Sequence, residues 1–265
     1  MKTEMYCYLE DRDRKVLPET TAFEQWLDPA QTAVICIDMH RGHIGPEEQL
    51  TCAAPRARER IPHHDVFHAA CRDIGMPVIM VQHWQRHGGA DDIAAKDLDG
   101  GANWRHIYEL YWPPTPLMNE HSWEGTKWLD LLVEHDPERD YYIRTKKRLS
   151  AFYPTDLEFL LRRLGVRNVV ITGTMTDACD LSTAFDAANL DFRVIMPRDI
   201  VAGYSEEAEH GALMIVSLHL GIVVDAPALV REWYAREGRD VPEAFREAQT
   251  MDDVVGERLA AASGT

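Results

Sequence analysis

The sequence predicts a doubly wound α/β fold: a single domain with a mostly parallel sheet and helices on both faces. Three observations lead there. Short apolar runs without polar alternation recur along the chain, helical patterns separate them, and no internal repeat or low-complexity tract breaks the rhythm. Strands buried on both faces read as continuous apolar runs, and strand–helix alternation is the signature of a parallel sheet.

Taken in order, residues 1–30 are polar and charged, as in Glu10-Asp11-Arg12-Asp13-Arg14-Lys15, which predicts a solvated N-terminal arm. Thr32-Ala33-Val34-Ile35-Cys36-Ile37 is the first buried strand, ended by Asp38. Residues 63–75 predict a helix closed by a C-cap glycine, and Pro77-Val78-Ile79-Met80-Val81 the next strand. The stretch 83–125 is long and rich in Gly, Pro and aromatics, among them Trp84, Trp104, Tyr108, Tyr111, Trp112 and Trp123. Loops this long in a compact domain tend to be functional, so a specificity insertion forming a pocket wall or lid is expected.

A weaker strand follows at 140–144, then a helix at 156–165, a strand at 168–172 and a helix at 180–189. A strand at 192–197, a helix at 206–220 and a last strand at 222–224 complete the alternation. The main domain is expected to span 31–230. Residues 231–265 are expected to form a C-terminal helical extension, with Trp233, Tyr234, Phe245 and Leu259 as apolar anchors that cover the core or mediate self-association.

Composition narrows the class of function. In 265 residues, 45% are hydrophobic, enough to fill a sizeable core. The formal charge of −16 disfavours phosphate backbones and anionic lipid, so neither nucleic acid nor membrane is expected as a partner. No apolar run approaches the roughly 18 residues that a spanning helix needs. Five cysteines (Cys7, Cys36, Cys52, Cys71, Cys179) form an odd set without CxxC spacing, and the N-terminus starts no signal-peptide core. A reduced, cytoplasmic protein is expected, with most of its thiols serving as small buried hydrophobes.

In an open parallel sheet, ligands bind outside the carboxyl ends of the strands. Asp38 follows the first run, Thr145-Lys146-Lys147-Arg148-Leu149-Ser150-Ala151-Phe152 the weaker strand, and Gly173-Thr174-Met175-Thr176-Asp177-Ala178-Cys179 the 168–172 strand. A carboxylate, an ammonium and a thiol would then meet at one sheet edge. A helix N-terminus and a nearby cation favour the thiolate, and a carboxylate suits a general base and acid. Neighbours on an extended segment point opposite ways, so only one of Lys146 and Lys147 can face the site, and the other would be a solvated charge. His40, His43, His83 and His87 are expected as surface or pocket-wall imidazoles. His40, His83, Trp84, Trp112 and Trp123 are the candidate substrate-lining residues. Arg198 is expected to pair with Asp199 or another acid.

These three motifs, together with Ser182-Thr183-Ala184-Phe185-Asp186-Ala187, resemble the isochorismatase-like cysteine hydrolases, and the resemblance runs from about Thr32 to Val230. It implies a parallel sheet flanked by helices and a catalytic triad of Asp38, Lys146 and Cys179, with the Ser150-Ala151-Phe152 anchor selecting Lys146 and leaving Lys147 as a solvated charge. It also implies a cis peptide between Thr174 and Met175 that aims the N–H groups of Met175 and Cys179 into an oxyanion hole, and a homo-dimer or homo-tetramer. Members that keep the cysteine attack an amide-type carbonyl, so cleavage of a C–N bond in a small amide, carbamoyl or ureide through a thioester is expected, without a cofactor. An isochorismatase-type vinyl-ether hydrolase that does not use the thiol is the alternative, and a non-catalytic module of the same fold the second. Nicotinamidases carry an Asp-x-His pair for zinc where this chain reads Gln82-His83-Trp84-Gln85-Arg86-His87, so no metal site is expected.

Overall fold

The computed structural model describes residues 4–7, 13–18, 21–46, 54–91 and 121–256. Its strands are β1 (Glu4–Cys7), β2 (Asp13–Val16), β3 (Thr32–Ile37), β4 (Val78–His83), β5 (Tyr141–Lys146), β6 (Asn168–Thr174), β7 (Arg193–Pro197), β8 (Val201–Ala202) and β9 (Gly221–Val224). The sheet order is β2-β1-β9-β7-β6-β3-β4-β5, with β8 added on β6. All pairings among β3 to β9 are parallel. The apolar runs are continuous because β3, β4 and β6 are buried at every residue.

The principal helices are α1 (Thr21–Trp26), α2 (Arg41–Ile44), α3 (Pro55–Glu59), α4 (Ile61–Asp73), α5 (Leu157–Arg163), α6 (Leu181–Asn189), α7 (Glu206–Ile215), α8 (Ala226–Arg236) and α9 (Glu243–Arg246). Two apolar clusters form, one on each face of the sheet. Val34, Cys36, Val78 and Met80 face Phe67 of α4 and Trp233 and Tyr234 of α8. Ile35, Ile37, Ile79 and Val81 face Leu157 and Leu161 of α5 and Ala184 of α6. No helix among the described residues is long and apolar enough to cross a membrane.

Both terminal segments pack on the sheet where they are described; Leu259 lies outside the described residues. Within the expected 1–30 arm, the described strands are not free: β1 pairs antiparallel with β2 and with β9, so these strands extend the sheet. A charged edge strand such as Asp13-Arg14-Lys15 reads as solvated chain because edges are kept polar to prevent further pairing. At the other end, α8 runs straight through residue 230, and Trp233 and Tyr234 lie in the core. Most of the 83–125 insertion lies outside the described residues, including Trp104, Tyr108, Tyr111 and Trp112.

Asp199 ties the C-terminal helices to the sheet. Its Oδ1 accepts the N–H of Ala226 at the start of α8 and its Oδ2 that of Met251, each at 2.9 Å. An amide has only one accepting atom at this place. Asp199→Asn is therefore expected to leave one buried N–H unmatched and to lower stability by about 1–3 kcal/mol in urea unfolding, with turnover per folded molecule little changed.

Candidate active site

Asp38 is the first residue after β3 and adopts φ +57°, the left-handed region that aspartate tolerates better than most side chains. That turn reverses the side chain into the cleft at the carboxyl end of the sheet. Its Oδ1 accepts the backbone N–H of His83 at 2.6 Å, and its Oδ2 accepts Lys146 Nζ at 2.6 Å. β4 lies between β3 and β5 and so supplies the backbone donor that fixes the carboxylate.

Lys146 reaches the same point through an irregularity. Strict alternation from Ile143 would bury Thr145, yet the buried residues of β5 are Ile143 and Lys146. The pairing runs Val81 with Ile143 and then His83 with Lys146, so β5 carries one extra residue against β4. Bulges of this kind re-aim a side chain. Lys146 Nζ lies 3.3 Å from Cys179 Sγ and is wholly buried. Burial alone would lower its pKa, but the Asp38 carboxylate and then Cys179 more than offset this, and the ammonium is held above its ordinary range.

Cys179 sits on a π-helical turn, Thr176–Asp180, between β6 and α6. Thr183 Oγ1 donates to the Cys179 carbonyl at 2.7 Å and accepts the N–H of Ala151 at 2.9 Å, which fastens this turn to the loop after β5. Gly173 takes φ +118°, and a Cβ there would lie 2.1 Å from the Ile37 carbonyl oxygen, so only glycine lets β6 close on β3 just before this turn. The Thr174–Met175 peptide is cis. Contrary to the expected resting thiolate, burial pushes the Cys179 thiol up; Lys146 opposes the rise and Asp38 adds to it. The neighbouring Asp180 is buried, with no hydrogen-bond partner for either oxygen among the described residues. Burial and then Asp38 push its carboxyl well above the usual carboxylate range.

Beside Asp38 lies a group of histidines. His43 packs against His40, His121 and His83 at ring-centroid distances of 4.6, 5.2 and 6.0 Å, and His83 lies 5.8 Å from His121. One ring nitrogen from each of His43, His83 and His121 falls within 4.8 Å of the others, and these are residues that could hold a metal. His43 Nε2 is 3.9 Å from Asp38 Oδ2. Burial lowers the pKa of His40 to about 4 and holds His43 and His83 well below the usual imidazole range, so the rings are neutral. His121 belongs to the insertion and carries no spacing signal that ties it to the others.

Of the other expected residues, His40 stays beside Asp38 and His43, whereas Trp84, Trp123, Lys147 and Arg198 make contacts elsewhere. His40 is buried, with Nδ1 bonded to the Trp128 carbonyl at 2.8 Å. Trp84 lines a separate open cleft with Gln82, His135 and Arg144. Trp123 packs on the exposed His87 at 5.6 Å, and Trp112 lies outside the described residues. Lys147 is half-buried, not solvated: it bonds the Trp84 carbonyl and pairs with Asp91 at 3.0 Å. Arg198 pairs with Asp225, at 2.9 Å.

The family model of the isochorismatase domain matches residues 32–228. An isochorismatase family protein of Bacillus subtilis is 29% identical over 72% of this chain and 97% of its own length. A ureidoacrylate amidohydrolase of Methylorubrum extorquens is 28% identical over 85% of this chain and 90% of its own. Among solved structures, the zinc complex of the Pyrococcus horikoshii pyrazinamidase superposes with a TM-score of 0.59 at 25% identity, covering 73% of this chain and 98% of that one. The Bacillus subtilis nicotinamidase superposes with 0.57 at 27% identity, over 73% and 98%. With the sheet order, the Asp38 turn and the cysteine turn all in place across the matched span, the chain belongs to the isochorismatase family.

Proposed function

We propose that this protein is a cysteine-dependent amidohydrolase that cleaves the C–N bond of a small amide, carbamoyl or ureide. The observation that carries the proposal is the unbroken contact from Asp38 Oδ2 through Lys146 Nζ to Cys179 Sγ, at 2.6 and 3.3 Å. Relatives named amidohydrolase, nicotinamidase and pyrazinamidase support the bond type.

In this reading the resting thiol is neutral. Asp38 takes its proton as sulfur attacks the carbonyl carbon, so a C–S bond forms and the π pair moves to oxygen. The N–H groups of Met175 and Cys179 receive that oxyanion, and Lys146 balances the charge that develops on sulfur. Collapse breaks the C–N bond, and the leaving nitrogen takes the proton from Asp38. Water, deprotonated by Asp38, then attacks the thioester, and the acid departs as sulfur regains its proton. A substrate that binds as a neutral amide fits a pocket rim of neutral imidazoles. The same reading places the enzyme in a reducing cytoplasm, where the buried thiols of Cys36, Cys71 and Cys179 stay free, and as a homo-dimer or homo-tetramer.

Cys179→Ala is expected to lower turnover on a panel of amides, carbamoyl amino acids and ureides by at least about 10³-fold, read as ammonia release. The wild type should show an acyl adduct on the Cys179 peptide after rapid quenching. Undiminished ammonia release by Cys179→Ala would overturn the thioester route, whereas a wild type that releases no ammonia from the panel but cleaves a vinyl ether, equally well as Cys179→Ala, would favour ether cleavage with the thiol as bystander.

Lys146→Ala should cost about 10² or more in kcat/KM in protein whose circular dichroism is unchanged, whereas Lys147→Ala should cost less than about tenfold. The reverse order would overturn the assignment of the lysine.

Because burial holds the Cys179 proton and Asp38 holds the Lys146 proton, neither group releases it in the neutral to mildly alkaline range. kcat/KM is therefore expected to stay level through about pH 8.5, where an ordinary thiol ionises, with no rise across that value.

A further inference from the structure

We propose that Asp180 is a positioning residue for the Cys179 nucleophile, serving as a neutral carboxylic acid whose loss of a proton stops turnover. Its effect on turnover rests on the amidohydrolase reading, whereas its protonation state rests on the surroundings of the carboxyl alone. Asp180 follows Cys179 on the Thr176–Asp180 turn and is wholly buried. Neither of its oxygens has a hydrogen-bond partner among the described residues. A buried carboxylate keeps its charge only beside a cation or several N–H donors; without them it takes up a proton.

The neighbouring acids show what Asp180 lacks. Asp38 is held by Lys146 Nζ and by the N–H of His83, both at 2.6 Å. Asp177 Oδ1 accepts the N–H of Tyr204 at 2.8 Å. Glu209 Oε2, on α7, accepts the N–H of Gly203 and pairs with Arg56, both at 2.9 Å. Lys146 is already engaged by Asp38 and Cys179. Thr176 Oγ1, four residues earlier on the same turn, is also buried without a partner among the described residues, and a hydroxyl neutralises no charge. The place is closed from outside as well. α7 packs on the turn, and a Cβ at Gly203 would stand 2.8 Å from Asp177 Oδ1 and 2.9 Å from Glu209 Cβ, so the chain after β8 fits over this side only as glycine.

The charged and titratable groups around Asp180 are Asp38, Lys146, Asp177 and Glu209 with its partner Arg56, together with the thiols of Cys179 and Cys36. Acids outnumber cations among them. Burial, and then Asp38, accordingly holds the Asp180 proton well above the usual carboxylate range. Attack by sulfur places negative charge first on Cys179 Sγ and then on the carbonyl oxygen, beside the turn that carries Asp180. As an acid, Asp180 adds no negative charge there. As a carboxylate it would oppose both, because a like charge next to the thiol strengthens its hold on the proton. The proton on Asp180 thus keeps the nucleophile available to Asp38.

The test compares the full wild-type chain with Asp180→Asn, which has the shape of the acid and cannot ionise. An infrared difference spectrum at neutral pH should show the carbonyl stretch of a protonated carboxylic acid in the wild type alone. Unfolded, Asp180 ionises near about pH 4, whereas the folded chain keeps the proton, so rising pH favours unfolding of the wild type only. The ratio of unfolding constants, wild type over Asp180→Asn, should therefore rise about tenfold per pH unit from about pH 5 until the stretch disappears. At the alkaline pH where it disappears, kcat/KM of the wild type should fall and that of Asp180→Asn should not. There iodoacetamide should alkylate Cys179 of the variant at least about threefold faster than that of the wild type. Asp180→Ala supplies the same readouts if the asparagine variant does not fold. A wild type without the stretch, or a stability ratio that is flat from about pH 5 to 7, would overturn the neutral acid. A stretch that persists until the chain unfolds, or one that disappears with no difference in alkylation and pH profile, would overturn the positioning role. No ammonia release from any compound, with the alkylation difference intact, would count against the amidohydrolase reading and support the charge role.

Discussion

Everything at the carboxyl edge of the sheet is arranged around one buried ion pair, Asp38 with Lys146. Both side chains are withdrawn from water and meet at 2.6 Å. Taking an ammonium and a carboxylate out of water costs several kcal/mol for each ion, and their mutual attraction recovers this only when the remaining polar atoms are also satisfied. Three local departures from regular structure provide for that. The left-handed turn at Asp38 aims the carboxylate inward, the extra residue in β5 aims the ammonium at it, and the N–H of His83 fills the second carboxylate oxygen. Loss of any one would leave a charge uncompensated in the interior.

The pair also sets the protonation state of the thiol beside it. A lysine alone would pull Cys179 toward the thiolate, and the sequence invites that expectation. Because Lys146 is already neutralised by Asp38, its field at sulfur is that of a dipole, and the burial of Cys179 prevails. In the proposed mechanism the nucleophile is therefore generated at the moment of attack, with the proposed base, Asp38, already in contact with Lys146. The raised carboxyl of Asp180 fits the same balance, since a further buried negative charge next to Asp38 and Cys179 would be unfavourable.

How much of this was legible in the sequence depends on the range of the signal. Runs such as Val34-Ile35-Cys36-Ile37 are buried on both faces and announce themselves as strands. The strands at the edges did not, since Asp13-Arg14-Lys15 in β2 carries the charges that protect an edge, and β8 is only Val201–Ala202. For the site, the motifs located Asp38, Lys146 and Cys179, but not the bulge that turns Lys146 inward, because a one-residue register shift leaves no trace in composition. The histidine group was the least visible. His43, His83 and His121 share no spacing, and only tertiary structure brings them together.

The same reasoning bears on the long insertion. The described residues on either side of 92–120 are both fastened to the catalytic edge. Asp91 pairs with Lys147, next to Lys146, at 3.0 Å, and Ser122 is held by the backbone of Gln85, two residues beyond His83. His121 itself presses on Gly42 of α2. Asp91 and Ser122 are therefore each bonded to a residue one or two positions from Lys146 or His83. A change that shifts Asp91 or Ser122 therefore acts next to the ion pair, through Lys147 on one side and the chain after His83 on the other.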